Sequence, residues 1–226
     1  MAIIQSGASS TTLLTVDPTF VAARVSDHPP EILGAYSMGL TSGALTTAAA
    51  GSTVFSFRWA PATSTQLCMV RRVEIGFSTT TAFTTAQSLQ YSMQIARTWT
   101  ASDTGGTAAA FTQTNTGKLR TSMPTSAFAA GGQIMIANTG ANTAGTRTLD
   151  TQAIGFVQGA STAVATVLTA TPIFQHQPGD YPLILATNEG FIINNVTLMG
   201  AAGVINLTVN VEWMELAATT GNAIAY

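Results

Sequence analysis

Ile205-Asn206-Leu207-Thr208-Val209-Asn210-Val211-Glu212-Trp213-Met214-Glu215 is the stretch whose reading decides the fold. Ile205, Leu207, Val209, Val211 and Trp213 alternate with Asn206, Thr208, Asn210, Glu212 and Met214. A period of two puts one set on each face of an extended strand. Wound as a helix, the same residues would bring Asn206 and Asn210 to the face of Leu207 and Met214, leaving no apolar stripe. The pattern recurs where Leu89, Tyr91, Met93 and Ile95 alternate with Gln90, Ser92 and Gln94. Both stretches are half-buried strands with their odd-numbered side chains turned to a core.

Further strands are expected at residues 54–59, 67–77, 134–136, 153–157, 183–185 and 191–198. In 67–77 the inward set is Leu67, Met69, Val73, Ile75 and Phe77, interrupted by Arg71. Strand geometry sends Arg71 and Arg72 to opposite faces. Turn residues separate these runs: Gly105-Gly106, Gly131-Gly132, Gly140, Gly145, Pro178-Gly179 and Asn188-Glu189-Gly190. The best helical candidate, 44–50, is short and bracketed by Gly43 and Gly51. Many short strands with such punctuation make an all-β chain, a sandwich, jelly roll or barrel, with its domain over residues 36–226. The Thr/Ala/Gly-rich stretches 98–117 and 138–151 read as long loops.

Residues 1–35 read as an extended N-terminal arm. Ile3, Ile4, Leu13, Leu14, Val16 and Phe20 are too many apolar groups for a solvated tail, and Pro18, Pro29 and Pro30 prevent a continuous helix. These six residues are the candidate assembly contacts, with the arm laid on an adjacent subunit and paired to an edge strand. The other reading is a first strand and loop of the same sandwich.

Only 8% of the 226 residues are charged, while 46% are hydrophobic. An ordinary soluble domain carries roughly 25% charged residues. The surface must therefore be built from Thr, Ser, Asn, Gln, Gly and Ala, which suits it to lying against other protein. A net charge of -2 and a single lysine, Lys118, leave no basic face and exclude a nucleic-acid partner. Residues 1–6 lack the charged and apolar segments of a signal peptide. The apolar run 191–205 is broken by Asn194, Asn195 and Thr197, short of the roughly 20 residues a spanning helix needs. The expectation is a protein made in the cytoplasm with no membrane partner.

No reaction centre assembles from the sequence. The single cysteine, Cys68, sits in the apolar run Leu67-Cys68-Met69-Val70 and reads as a buried thiol. His28 follows Asp27 but precedes two prolines, so it reads as a loop residue. His176 and Asp180 share a loop but fall short of a metal ligand set. No nucleophile elbow or phosphate-binding loop is present. Glu212 and Glu215 are a weak carboxylate pair for glycoside hydrolysis. Asn195-Val196-Thr197 and Asn206-Leu207-Thr208 match the glycosylation sequon by chance in an Asn/Thr-rich region. Trp59, Trp99 and Tyr91 could stack on sugars, but at strand spacing they read as core. No catalytic residue, metal or cofactor is expected.

The start Met1-Ala2-Ile3-Ile4, the Thr/Ala/Gly-rich loops, the stretch Pro182-Leu183-Ile184-Leu185-Ala186-Thr187-Asn188-Glu189-Gly190-Phe191 and the closing strand together resemble structural proteins of tailed-bacteriophage virions, of the small all-β head decoration or cement type. The resemblance implies a jelly-roll sandwich that binds the capsid lattice and oligomerises. Its partners would be copies of itself and a major capsid protein, and its place the virion, after synthesis in the host cytoplasm. The main shell proteins of tailed phages carry a long charged helix that this chain lacks. The alternative is a receptor- or glycan-binding module of a phage tail or surface appendage, which clustered aromatics on loops would mark.

Overall fold

The structure is a computed structural model that describes residues 16–17, 22–23, 32–111, 116–161, 166–177 and 180–217. The strands are β1 (Val16–Asp17), β2 (Ala22–Ala23), β3 (Ile32–Thr41), β4 (Ser52–Trp59), β5 (Gln66–Thr81), β6 (Gln87–Arg97), β7 (Thr107–Ala108), β8 (Gln133–Ile136), β9 (Thr148–Ser161), β10 (Val167–Gln175), β11 (Leu183–Leu185), β12 (Glu189–Asn195) and β13 (Val204–Ala217). A single 3-10 turn, Ala127–Ala130, is the one helical element among the described residues. Its N-cap Ser126 accepts a hydrogen bond from the amide of Phe128.

Two antiparallel sheets pack face to face. One has the order β10-β5-β13-β3, with β11 also on β5, and the other the order β7-β8-β4-β12-β6-β9. The long strands nest in pairs. The first of them, β3, pairs with the last, β13; β4 pairs with β12, β5 with β10, and β6 with β9. That nesting, with the long strands crossing between sheets at every step except β6 to β9, is the jelly roll. It sends the β3–β4, β5–β6, β9–β10 and β12–β13 connections to one end of the sandwich. The chain enters at Ile32 and leaves after Leu216, its register partner, at the other end.

The alternation in β13 and β6 holds as read from the sequence. Leu207, Val209, Val211 and Trp213 are buried, as are Leu89, Tyr91, Met93 and Ile95. Between the sheets Trp213 stacks on Tyr36 and meets the edges of Phe57 and Phe128. Gly190 lies so close to β4 that a Cβ there would overlap the carbonyl oxygen of Phe57, which only glycine permits.

β5 departs from the expected pattern. Its register against β13 slips between Arg72 and Val70, so Arg71 is an extra residue. Such a bulge inverts the parity of everything on one side of it. Cys68 and Val70 join Val73, Ile75 and Phe77 in the core, while Leu67 and Met69 turn outward to pack with Met214, Leu216, Ile32, Ala35 and Ile184. The bulge also overturns the expected splaying of the two arginines. Arg71 reaches the outward Met214, and Arg72 pairs with Glu74, two residues along on the same face. One more departure is local: β10, which the sequence reading does not include, forms across Pro172 because an edge strand tolerates proline. Residues 44–50, the weak helical candidate, are not helical.

By internal contacts the chain divides into Met1–Pro30 and Glu31–Tyr226. Of the arm candidates, Ile3, Ile4, Leu13, Leu14 and Phe20 lie outside the described residues, as do Asp27 and His28. Val16 lies in β1, which pairs antiparallel with β2 in the register Val16↔Ala23. β3 begins at Ile32, so residues 32–35 of the expected arm belong to the first sheet.

Val209 is fully buried between Ile75 of β5 and Leu40 of β3. The substitution Val209→Asp, which strands a carboxylate in the core at a cost of several kcal/mol, is expected to abolish soluble folded protein. Soluble yield and far-ultraviolet circular dichroism check this; a folded, soluble variant would contradict the core assignment.

Candidate interaction surface

Nested pairing has an electrostatic consequence. The runs 32–57, 75–96, 151–175 and 190–211 contain no Asp, Glu, Lys, Arg or His. Each run folds around one of the four connections that turn at the end away from Ile32 and Leu216. The strands and connections that build that half of the sandwich therefore carry no charged side chain of their own. Its loops expose Ala44, Thr46, Thr47, Ala49, Ala50, Thr84, Thr85, Ala86, Leu198, Ala201 and Ala202.

These loops are laced together. Leu45 exchanges backbone hydrogen bonds with Ile205, and Met199 donates to the carbonyl of Ala48. Asn195, fully buried, donates through Nδ2 to the carbonyls of Ala48 and Thr197. Gln87 accepts from the Gly200 amide, and Thr84 donates to the Ala201 carbonyl. Thr46 donates from its amide to Thr139, tying in the loop before β9. Leu45, Ala48, Phe83 and Met199 are the buried pegs beneath. The surface is preformed, and small side chains lose little rotamer freedom when covered.

Charges gather elsewhere, and several are paired. Arg147 and Asp103 form an almost fully buried ion pair. Asp103 also accepts from the Gly145 amide, and Arg147 donates to Thr53 and lies 4.7 Å over the Trp99 ring. Arg58 donates to Ser102, Asn188 and the Trp99 carbonyl. These contacts tie residues 99–103 and 145–147 to β4, while β7 and the first residues of β9 are strands inside the stretches 98–117 and 138–151 expected as long loops. Where Arg147 reaches β4, at Thr53, its charge is already matched by Asp103 and closed off from solvent. Arg97 bridges Asp150 and Glu189.

Among the described residues Glu215 is the one carboxylate that points into the sandwich, with 2% of its surface exposed. Ser126 Oγ donates to it at 2.6 Å, the Ala127 amide at 3.0 Å and Trp213 Nε1 at 3.3 Å. Burial holds its pKa above the ordinary carboxyl value, opposed by those three donors. The carboxylate anchors residues 124–128, whose Pro124 carbonyl accepts from Tyr36 Oη. Burial also raises the Tyr36 hydroxyl and the Cys68 thiol, each pushed further by Glu215.

The remaining sequence candidates do not converge. Glu212 faces away from the core, so it and Glu215 lie on opposite faces of β13. His176 donates its amide to the Arg71 carbonyl, and Asp180 accepts from the Gln177 amide. Among the described residues no three His, Cys, Asp or Glu side chains cluster with metal-ligand geometry. Cys68 is fully buried, as expected. Trp59, Trp99 and Tyr91 are buried, and of the sequon asparagines Asn195 is closed to modification. No helix among the described residues is long and apolar enough to cross a membrane. Sequence reasoning missed the charge-free half, although its signal, four uncharged runs at hairpin spacing, lies in the sequence.

No family model, no curated protein and no solved structure matches this chain.

Glu215 makes stability pH-dependent. Its pKa is raised in the folded state, so folding favours the protonated form. Stability from this group is full at acidic pH and falls as pH rises from the ordinary carboxyl value through the raised one. Urea unfolding at several pH values is expected to show that fall in the native chain and a flatter profile in Glu215→Gln. Glu215→Ala, which strands three donors, should lose about 1–3 kcal/mol. Parallel profiles for the native chain and Glu215→Gln would contradict the buried assignment.

Proposed function

We propose that this chain is a non-enzymatic structural protein of a tailed-bacteriophage virion that decorates or cements the capsid through protein–protein contacts. Its partners are copies of itself and a major capsid protein. The observation that carries the reading is the preformed, charge-free half of the sandwich. A surface of Ala, Thr and Gly is weakly hydrated and free of repulsion, and it is better covered by protein than left in water. The jelly roll agrees, since viral capsid domains use it, but lectin domains and cupins use it too, so the surface and not the fold carries the argument. The glycan-binding alternative wants clustered aromatics on loops. Among the described residues the large exposed aromatics are Phe156 on β9 and Tyr181 alone on its loop.

Immunogold electron microscopy of purified phage particles tests the proposal. Labelling at regular positions on the head is expected; particles free of the protein would refute it. The N-terminal segment has its own test, because the contact division falls between Pro30 and Glu31. Deleting residues 1–30 is expected to leave the melting transition intact and to abolish binding to particles. A truncated chain that binds like the full one would leave the arm without a role in assembly. A truncated chain that fails to fold would make the segment part of the sandwich.

A further inference from the structure

We infer that the charge-free half of the sandwich is where two copies of this chain meet, end to end and symmetrically. The inference rests on the self-associating structural role proposed above and names its surface. A symmetric contact sets a patch against its own image, so any net charge on the patch opposes itself. In a chain with ten acidic and eight basic residues, this half is the region where that opposition vanishes. Of the 23 residues in the loops 42–51, 82–86 and 196–203, 17 are exposed or half-buried, a little under the roughly 20–30 a side of a standard interface. Leu198, 67% exposed, is the apolar anchor. It shares a loop with Ala201 and Ala202, and that loop is bonded to Thr84.

Joining through three of the four sheet edges is blocked by comparison, and the fourth, β7, is only two residues long. The free edge of β3 is covered by residues 117–119, through Ser37 to Gly117 and Leu119 to Ala35. The opposite edges, β9 and β10, are broken by register shifts, and β10 carries Pro172. Bulges and prolines of this kind keep an edge from adding a foreign strand. The opposite end, where Ile32 and Leu216 lie, holds Lys118 and Arg120 and stays hydrated.

Sedimentation velocity over a concentration series tests this, with Leu198→Glu and Thr85→Glu at the uncharged end. Leu119→Glu and Tyr181→Glu, at exposed positions outside it, serve as controls. The native chain and both controls are expected to self-associate, and the first two variants to do so at least about tenfold more weakly, 1.4 kcal/mol or more. All four variants should keep the native melting transition. Raising salt from about 0.1 M to about 1 M should not weaken the native association, because no charge pair holds it. If Leu198→Glu and Thr85→Glu associate like the native chain, or the controls dissociate equally, the inference is wrong and the virion reading stands. A native chain that is monomeric yet binds particles likewise overturns the inference and spares the virion reading. A native chain absent from particles overturns the virion reading itself.

Discussion

The Trp213 indole is the point on which the rest of the sandwich depends. Its ring stacks on Tyr36 of the neighbouring strand at 5.5 Å and meets Phe57 of the opposite sheet edge-on at 5.7 Å. It meets Phe128 of the 3-10 turn at 5.3 Å, and its N–H goes to Glu215. One side chain thereby locks strand pairing, sheet packing and the long β7–β8 connection together. Aromatic pairs of this kind add about 0.5–1.5 kcal/mol each beyond burial. The buried carboxylate is tolerable because its three donors replace the water it loses, and it holds Phe128 against the indole.

A sandwich with few charges must solve a problem that most proteins solve with lysines. Exposed strand edges recruit other chains, and the usual guard is a charged side chain on the edge. Here the guard is geometric. β3 is capped by a passing loop, β9 is bulged, and β10 is bulged and carries Pro172. The sparse charge is held at one end and along the sheet faces, much of it in ion pairs such as Arg147–Asp103 and Arg97–Glu189. The sandwich is thus polarised, with its charged residues toward the end where it begins and finishes and an uncharged end closed by the loops 42–51, 82–86 and 196–203.

Much of this architecture was legible from periodicity. The alternation in 89–95 and 205–213 identified two central strands and their inward faces, because each has one face in the core. Reading failed where the register is broken. In β5 the extra residue Arg71 inverts the pattern, and a run containing Leu67, Met69, Val73 and Ile75 looks continuous until its partner strand is known. β10 was hidden by Pro172 and by the Thr and Ala residues of an exposed edge, and Ile32 by its closeness to Pro29-Pro30. Glu215 was visible as an acid but not as a buried one, since its burial comes from Ser126 and Ala127, distant in sequence. Partition of charge needed the topology, which shows that four separate runs converge on one end.

The polarity of the sandwich, with assembly at its uncharged end, is open to hydrogen–deuterium exchange of the native chain at low and high concentration. Protection of peptides covering 42–51, 82–86 and 196–203 is expected to rise with concentration, while 60–65 and 119–126 at the other end exchange unchanged. Protection that rises at the charged end instead, or an uncharged end whose exchange is the same at every concentration, would contradict that polarity.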